Sequence, residues 1–115
     1  MPSDVSPGKF GLKQSTIDQI NAVFARYPSV EKAIIYGSRA KGNYRKGSDI
    51  DLTLVGANLK SSQLALIWLE MDDLLLPYLM DISLLRQIDN PDLIEHINRV
   101  GVTFYEKDRP QLPIP

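Results

Sequence analysis

Cysteine is absent from the 115 residues, which excludes disulfides, thiolate zinc sites and cysteine nucleophiles. Metal chemistry in such a chain has to use oxygen ligands. Charge of one sign is also lacking, because 13 basic against 14 acidic residues leave a formal charge of −1. A broad basic face of the kind that grips duplex nucleic acid is therefore not expected, and any phosphate binding has to be local. No stretch approaches the roughly 20 consecutive apolar residues of a membrane span, and the first ten residues hold no apolar run of the leader type. A cytoplasmic location is the expectation that follows. What is present is ordinary for a globular domain: 43% hydrophobic and 23% charged residues. The length suits one core and leaves no room for a second, substrate-binding domain.

Residues 1–12, with Pro2, Pro7, Gly8 and Gly11, read as a flexible lead-in without chemistry. A domain is expected over 13–107, followed by a Pro-rich tail at 108–115 that carries Pro110, Pro113 and Pro115. Ile17, Ile20, Val23 and Phe24 recur at helical spacing until Tyr27-Pro28 forbids continuation. Ala33 to Tyr36 is a β-prone run stopped by Gly37, with a turn and one helical turn expected behind it. Asp49 to Val55 alternates, with Asp49, Asp51 and Thr53 opposite Ile50, Leu52 and Leu54. That pattern predicts a strand with one face in the core and a polar face open to solvent or ligand.

Ser61 or Ser62 can cap a helix that runs through Leu64, Leu66, Ile67, Trp68, Leu69, Met71, Leu74 and Leu75 to the break at Pro77. Tyr78 to Leu84 alternates again and predicts a third strand. Asn90-Pro91 opens a last helix with Leu93, Ile94, Ile97 and Val100 as its apolar stripe, and Gly101 ends it. Val102 to Tyr105 reads as a closing edge strand. The fold class expected is α/β (α+β): a small mixed sheet of three or four strands with helices mainly on one face.

The chemistry-bearing residues fall at the ends of these strands. Residues two apart on a strand share a face with Cα atoms about 6.5–7 Å apart, so Asp49 and Asp51 converge, and Asp81 on the third strand would complete an acidic site. Two Mg²⁺ ions about 3.5–4 Å apart, held by such carboxylates and by substrate phosphates, suit an in-line displacement at phosphorus. Gly37 permits a tight turn and close backbone approach, and Ser38 can offer its N–H and hydroxyl to a phosphate. Between this turn and the carboxylates lie Arg39, Lys41, Arg45 and Lys46. They supply positive charge where a triphosphate would lie.

Other residues read more plainly. His96, the only histidine, reads as a surface or capping residue of the last helix. Asp72 and Asp73 are adjacent on a helix, do not share a face and read as solvated. Trp68 lies in an apolar run wider than one stripe requires, so core burial and partner binding are both open to it.

Taken together, GSRAKGNYRKGSDIDL from Gly37 to Leu52, MDISLL around Asp81 and the ending GVTFYEK resemble the minimal nucleotidyltransferases (MNT) of the DNA polymerase beta superfamily. The signature there is Gly-Ser, about ten residues, Asp-x-Asp and a later strand-borne Asp, and the resemblance spans roughly Ala33 to Lys107. It implies a polymerase-beta-like fold, ATP as substrate with two Mg²⁺, and Asp49, Asp51 and Asp81 as metal-binding and catalytic residues. It also implies a nucleotide site at Gly37, Ser38, Arg39, Lys41 and Arg45. The stand-alone MNT proteins pair with small helical HEPN-type proteins, and in that pairing the MNT chain is the antitoxin that transfers AMP to a tyrosine hydroxyl of its RNase partner. A catalytic subunit that modifies an aminoglycoside-like small molecule, or an antitoxin that acts by binding alone, are the other readings. Direct nucleic-acid binding is not expected.

Overall fold

The computed structural model describes residues 8–107. The elements run α1 (Gln14–Ala25), β1 (Lys32–Tyr36), α2 (Ser38–Lys41), β2 (Ile50–Val55), α3 (Ser61–Asp73), β3 (Met80–Leu84), α4 (Pro91–Val100) and β4 (Val102–Glu106), with one 3-10 turn at Leu85–Gln87. The strands form one sheet in the order β3-β2-β1-β4. β1 pairs antiparallel with both β2 and β4. β2 and β3 are parallel, as the intervening helix α3 permits, since parallel neighbours need a crossover.

The period-two pattern of β2 does what it predicts on one face: Ile50, Leu52 and Leu54 are at most 1% exposed. They join Ala33, Ile35, Ile82 and Leu84 beneath Ile17, Ile20, Val23 and Phe24 of α1 and Ile67 and Met71 of α3. α4 lies on the opposite face. Gly101 at its end is so close to Ile34 that a Cβ there would stand 2.8 Å from Ile34 Cγ2, and Ile34 alternates with the core residues of β1. Asn90 caps α4 by accepting from the N–H groups of Asp92 and Leu93, and Pro91 takes the first position, as its sequence predicts.

Three expectations are corrected. The polar face of β2 is open only at its Asp51 end: Thr53 is fully buried, and Ser83 Oγ donates to its Oγ1 at 3.0 Å, so a hydroxyl pair satisfies itself inside the sheet. Ser61 and Ser62 lie within the first turn of α3 and do not cap it. The cap is Lys60, whose N–H donates to the Gln63 side chain at 3.1 Å. The lead-in is packed over part of its length, with Leu12 only 2% exposed and the Phe10 ring 5.8 Å from that of Phe104. Residues 1–7 and the tail at 108–115 lie outside the described residues. No helix among the described residues is long and apolar enough to cross a membrane.

Candidate active site

Register brings the acidic residues together. Tyr36, Asp51 and Asp81 are successive register partners across β1, β2 and β3, so their side chains share the face opposite the main core. Asp49 precedes β2 by one residue and is exposed. The electrostatics record the crowding. Asp51 is pushed above the ordinary carboxylate range, first by burial and then by the charges of Asp81 and Asp49. The Tyr36 phenol, 7% exposed, is also pushed up, by burial first and then by Asp81 and Asp51, with a hydrogen bond from Ser83 opposing.

Gly37 closes the site from the end of β1. Its backbone, at φ 76° and ψ −157°, lies where essentially only glycine is stable. A Cβ at this position would stand 2.5 Å from Asp51 Oδ2, so the absent side chain leaves the space between turn and carboxylate. The helical turn α2 follows, with the N–H of Lys41 donating to the Gly37 carbonyl at 3.0 Å. Ser38 is partly exposed beside the turn.

The basic residues divide. Lys41, Arg45 and Lys46 are exposed on and after α2. Arg39, expected among the nucleotide-binding residues, is instead 2% exposed. Its Nε donates to the Ser48 carbonyl at 3.0 Å and one terminal nitrogen to the Phe10 carbonyl at 2.8 Å. The guanidinium also lies over the rings of Tyr78 and Tyr44, 4.9 and 5.5 Å from their centroids. These two bonds tie Arg39 to the loop that delivers Asp49 and to the segment before α1. His96 departs from expectation in the other direction. Its Nε2 accepts from the Gly37 N–H at 3.2 Å, and its ring meets that of Tyr36 edge-on at 6.1 Å. No local sequence signal marks this, because its partner is a backbone group 59 positions away.

The donor set is all oxygen and hard, which suits Mg²⁺. As the side chains stand, no three His, Asp or Glu groups among the described residues close on one point. Asp51 and Asp81 are nonetheless register partners on paired strands, and Asp49 stands one residue before β2.

This strand, glycine turn and acidic strand pair lie within residues 18–110, which match the family model described as "Polymerase beta, Nucleotidyltransferase". The chain belongs to the polymerase beta nucleotidyltransferase family. No curated protein matches the sequence. Among solved structures, this nucleotidyltransferase domain is similar to a toxin-antitoxin with AMP-PNP, at TM-score 0.63 and 18% identity over 79% of this chain and 73% of that one. It is similar to the toxin-antitoxin MntA-HepT, at TM-score 0.59 and 16% identity over 83% and 74%. It is also similar to a complex of tri-AMPylated Shewanella oneidensis HEPN toxin with MNT antitoxin, at TM-score 0.59 and 17% identity over 82% and 72%. At such identities the likeness is one of fold.

Proposed function

We infer that this nucleotidyltransferase is the antitoxin of a two-protein pair, and that it transfers AMP from ATP to a tyrosine hydroxyl of a helical HEPN-type RNase and so silences it. The observation that carries the reading is the placement of Asp51 and Asp81 side by side, facing a glycine turn, in a chain of this family.

The residues divide the work. Ser38, through its N–H and hydroxyl, holds the β- and γ-phosphates, with Lys41 and Arg45 reaching them from the exposed loop. Asp49, Asp51 and Asp81 are the residues that hold Mg²⁺, which when bound polarises the phosphoryl oxygens and eases ionisation of the acceptor hydroxyl. Asp81, on the exposed edge strand β3, meets the incoming acceptor and accepts its proton. The acceptor oxygen then bonds to the α-phosphorus as the bond to the bridging oxygen breaks, and pyrophosphate leaves.

A protein acceptor is favoured by the surface beside Asp81. A cavity of about 370 Å³ is lined by seven apolar or aromatic residues, among them Trp68, Leu75, Leu79 and Met80, and by Asp72; Met80 is adjacent to Asp81. Leu75 and Leu79 are 86% and 74% exposed, and Leu66 and Leu69 on the outer side of α3 are 51% and 62% exposed. Leu75 also holds a left-handed backbone at φ 55°, a conformation that costs a leucine energy. Such residues fit the apolar face of a partner helix. Trp68, for which core and surface were both open, is 36% exposed, with its Nε1–H donating to the Ile82 carbonyl at 3.2 Å.

The test is to mix the purified chain with the helical protein encoded beside it, Mg²⁺ and each nucleoside triphosphate, and to read intact masses. One or more adenylyl groups on the partner, and none with Asp49→Asn/Asp51→Asn, is the result expected. No adduct with any nucleotide overturns the transfer reading. If the asparagine variant still protects cells at wild-type expression, neutralisation works by binding.

A further inference from the structure

We propose that His96 is a positioning residue for the phosphate-binding turn: it holds the Gly37 amide and thereby sets the gap between that turn and Asp51. The proposal rests on the reading of Gly37-Ser38 as the turn that receives the triphosphate.

Both backbone polar groups of Gly37 are occupied. The carbonyl accepts from Lys41 N–H at 3.0 Å inside α2, and the N–H donates to His96 Nε2 at 3.2 Å. Because Nε2 accepts, the ring proton lies on Nδ1. Gly37 therefore has no amide to spare, and of the Gly37-Ser38 pair only the N–H and hydroxyl of Ser38 are left for a phosphate. The turn has no side-chain cap of its own, so His96 fastens the glycine from outside the segment. The fastening is consequential because Gly37 stands directly against Asp51. Its Cα hydrogens face Asp51 Oδ2, which a Cβ would approach to 2.5 Å. A turn free to swing toward Asp51 closes the space meant for phosphate and cation. One free to swing away takes Ser38 out of reach.

The ring also packs edge-on against Tyr36, with centroids 6.1 Å apart and planes at 80°, so a purely structural role is the competing account. Two substitutions separate them. His96→Gln presents an acceptor at the place of Nε2 and removes the ring. His96→Phe keeps a ring against Tyr36 and removes the acceptor.

The readouts are hydrogen exchange at the Gly37 amide by NMR, affinity for ATP with Mg²⁺ by calorimetry, and the thermal midpoint. A single neutral hydrogen bond bounds the effect at roughly three- to tenfold. His96→Phe is expected to speed Gly37 exchange and weaken nucleotide affinity to that extent, with His96→Gln within about twofold of wild type in both. If His96→Phe matches wild type and His96→Gln is the variant that loses affinity, packing explains the residue and the proposal is overturned. Unchanged Gly37 exchange in His96→Phe overturns it whatever the nucleotide data show. If wild type binds no nucleotide while Gly37 exchange still depends on an acceptor at position 96, it is the nucleotidyl-transfer reading that fails, and the functional part of the proposal falls with it.

Discussion

At the scale of single residues, Asp51 shows what a partly buried carboxylate beside other acidic groups costs the fold. Burial and the neighbouring charges raise its folded-state pKa. A carboxyl whose pKa is raised on folding stabilises the fold below its unfolded value, and that stability is lost as pH climbs through the folded value. Once ionised, the group is thus a liability in the free protein. Asp51→Asn should raise the thermal midpoint without ligand, abolish the further rise given by ATP with Mg²⁺, and slow transfer by on the order of a thousandfold. A lower midpoint for the variant would show that Asp51 is held by favourable contacts. Gly37 makes the complementary case. Gly37→Ala places a methyl 2.5 Å from Asp51 Oδ2 in a glycine-only conformation, and should cost about 1–3 kcal/mol in urea denaturation.

The placement of these two positions, at a strand end and in a turn, could be read in the sequence, because aspartate is depleted in strands and so stands out there and glycine marks a turn. The places of Arg39 and His96 could not, for the same physical reason in opposite directions. Arg39 sits among Lys41, Arg45 and Lys46 and shares their reading, yet two tyrosines and two carbonyls from distant segments bury it. His96 looks like a helix-surface residue until α4 is laid across β1. Arg39→Ala leaves two carbonyls without their donor and should cost about 2–4 kcal/mol.

At the scale of elements, hydrophobic periodicity carried most of the information, since α1, α3, α4 and the strands follow their apolar spacing. Ends and attachments were harder to read. The start of α3 depends on the Gln63 side chain, which also accepts from Ser29 Oγ at 2.9 Å, a contact that no spacing rule contains. The end of α3 offers a test. Leu75 is exposed and left-handed, so Leu75→Gly should stabilise the isolated chain by about 0.5–1 kcal/mol in urea denaturation. Leu75→Glu/Leu79→Glu should abolish co-elution with the helical partner while leaving nucleotide affinity intact. Retained co-elution would place the partner elsewhere.

A second element-scale contact ties α1 to α3: Glu70 accepts from both Tyr27 and Arg26. These bonds hold the Glu70 carboxyl below the ordinary value of 4.5, the Tyr27 hydrogen bond contributing most. A depressed folded pKa adds stability above the unfolded value, and that stability is lost as pH falls through the folded one. Glu70→Gln should therefore lower the thermal midpoint at pH 7 and approach wild type toward pH 3, below the ordinary glutamate range. A deficit that persists in acid would mark a packing effect.

At the scale of the whole molecule, the mixed sheet could be read as a class, but its strand order could not, because register between distant strands leaves no mark in either one. The order has a temporal consequence. All three aspartates and the glycine turn leave the ribosome before α4 and β4, yet β1, which carries that turn, has β4 as its second neighbour and α4 across its face. A nascent chain that has already emitted Asp81 still has β1 as an open edge and Gly37 without its acceptor. The site thus takes its shape only when α4 and Val102–Glu106 have packed on β1, after the carboxylates themselves have emerged.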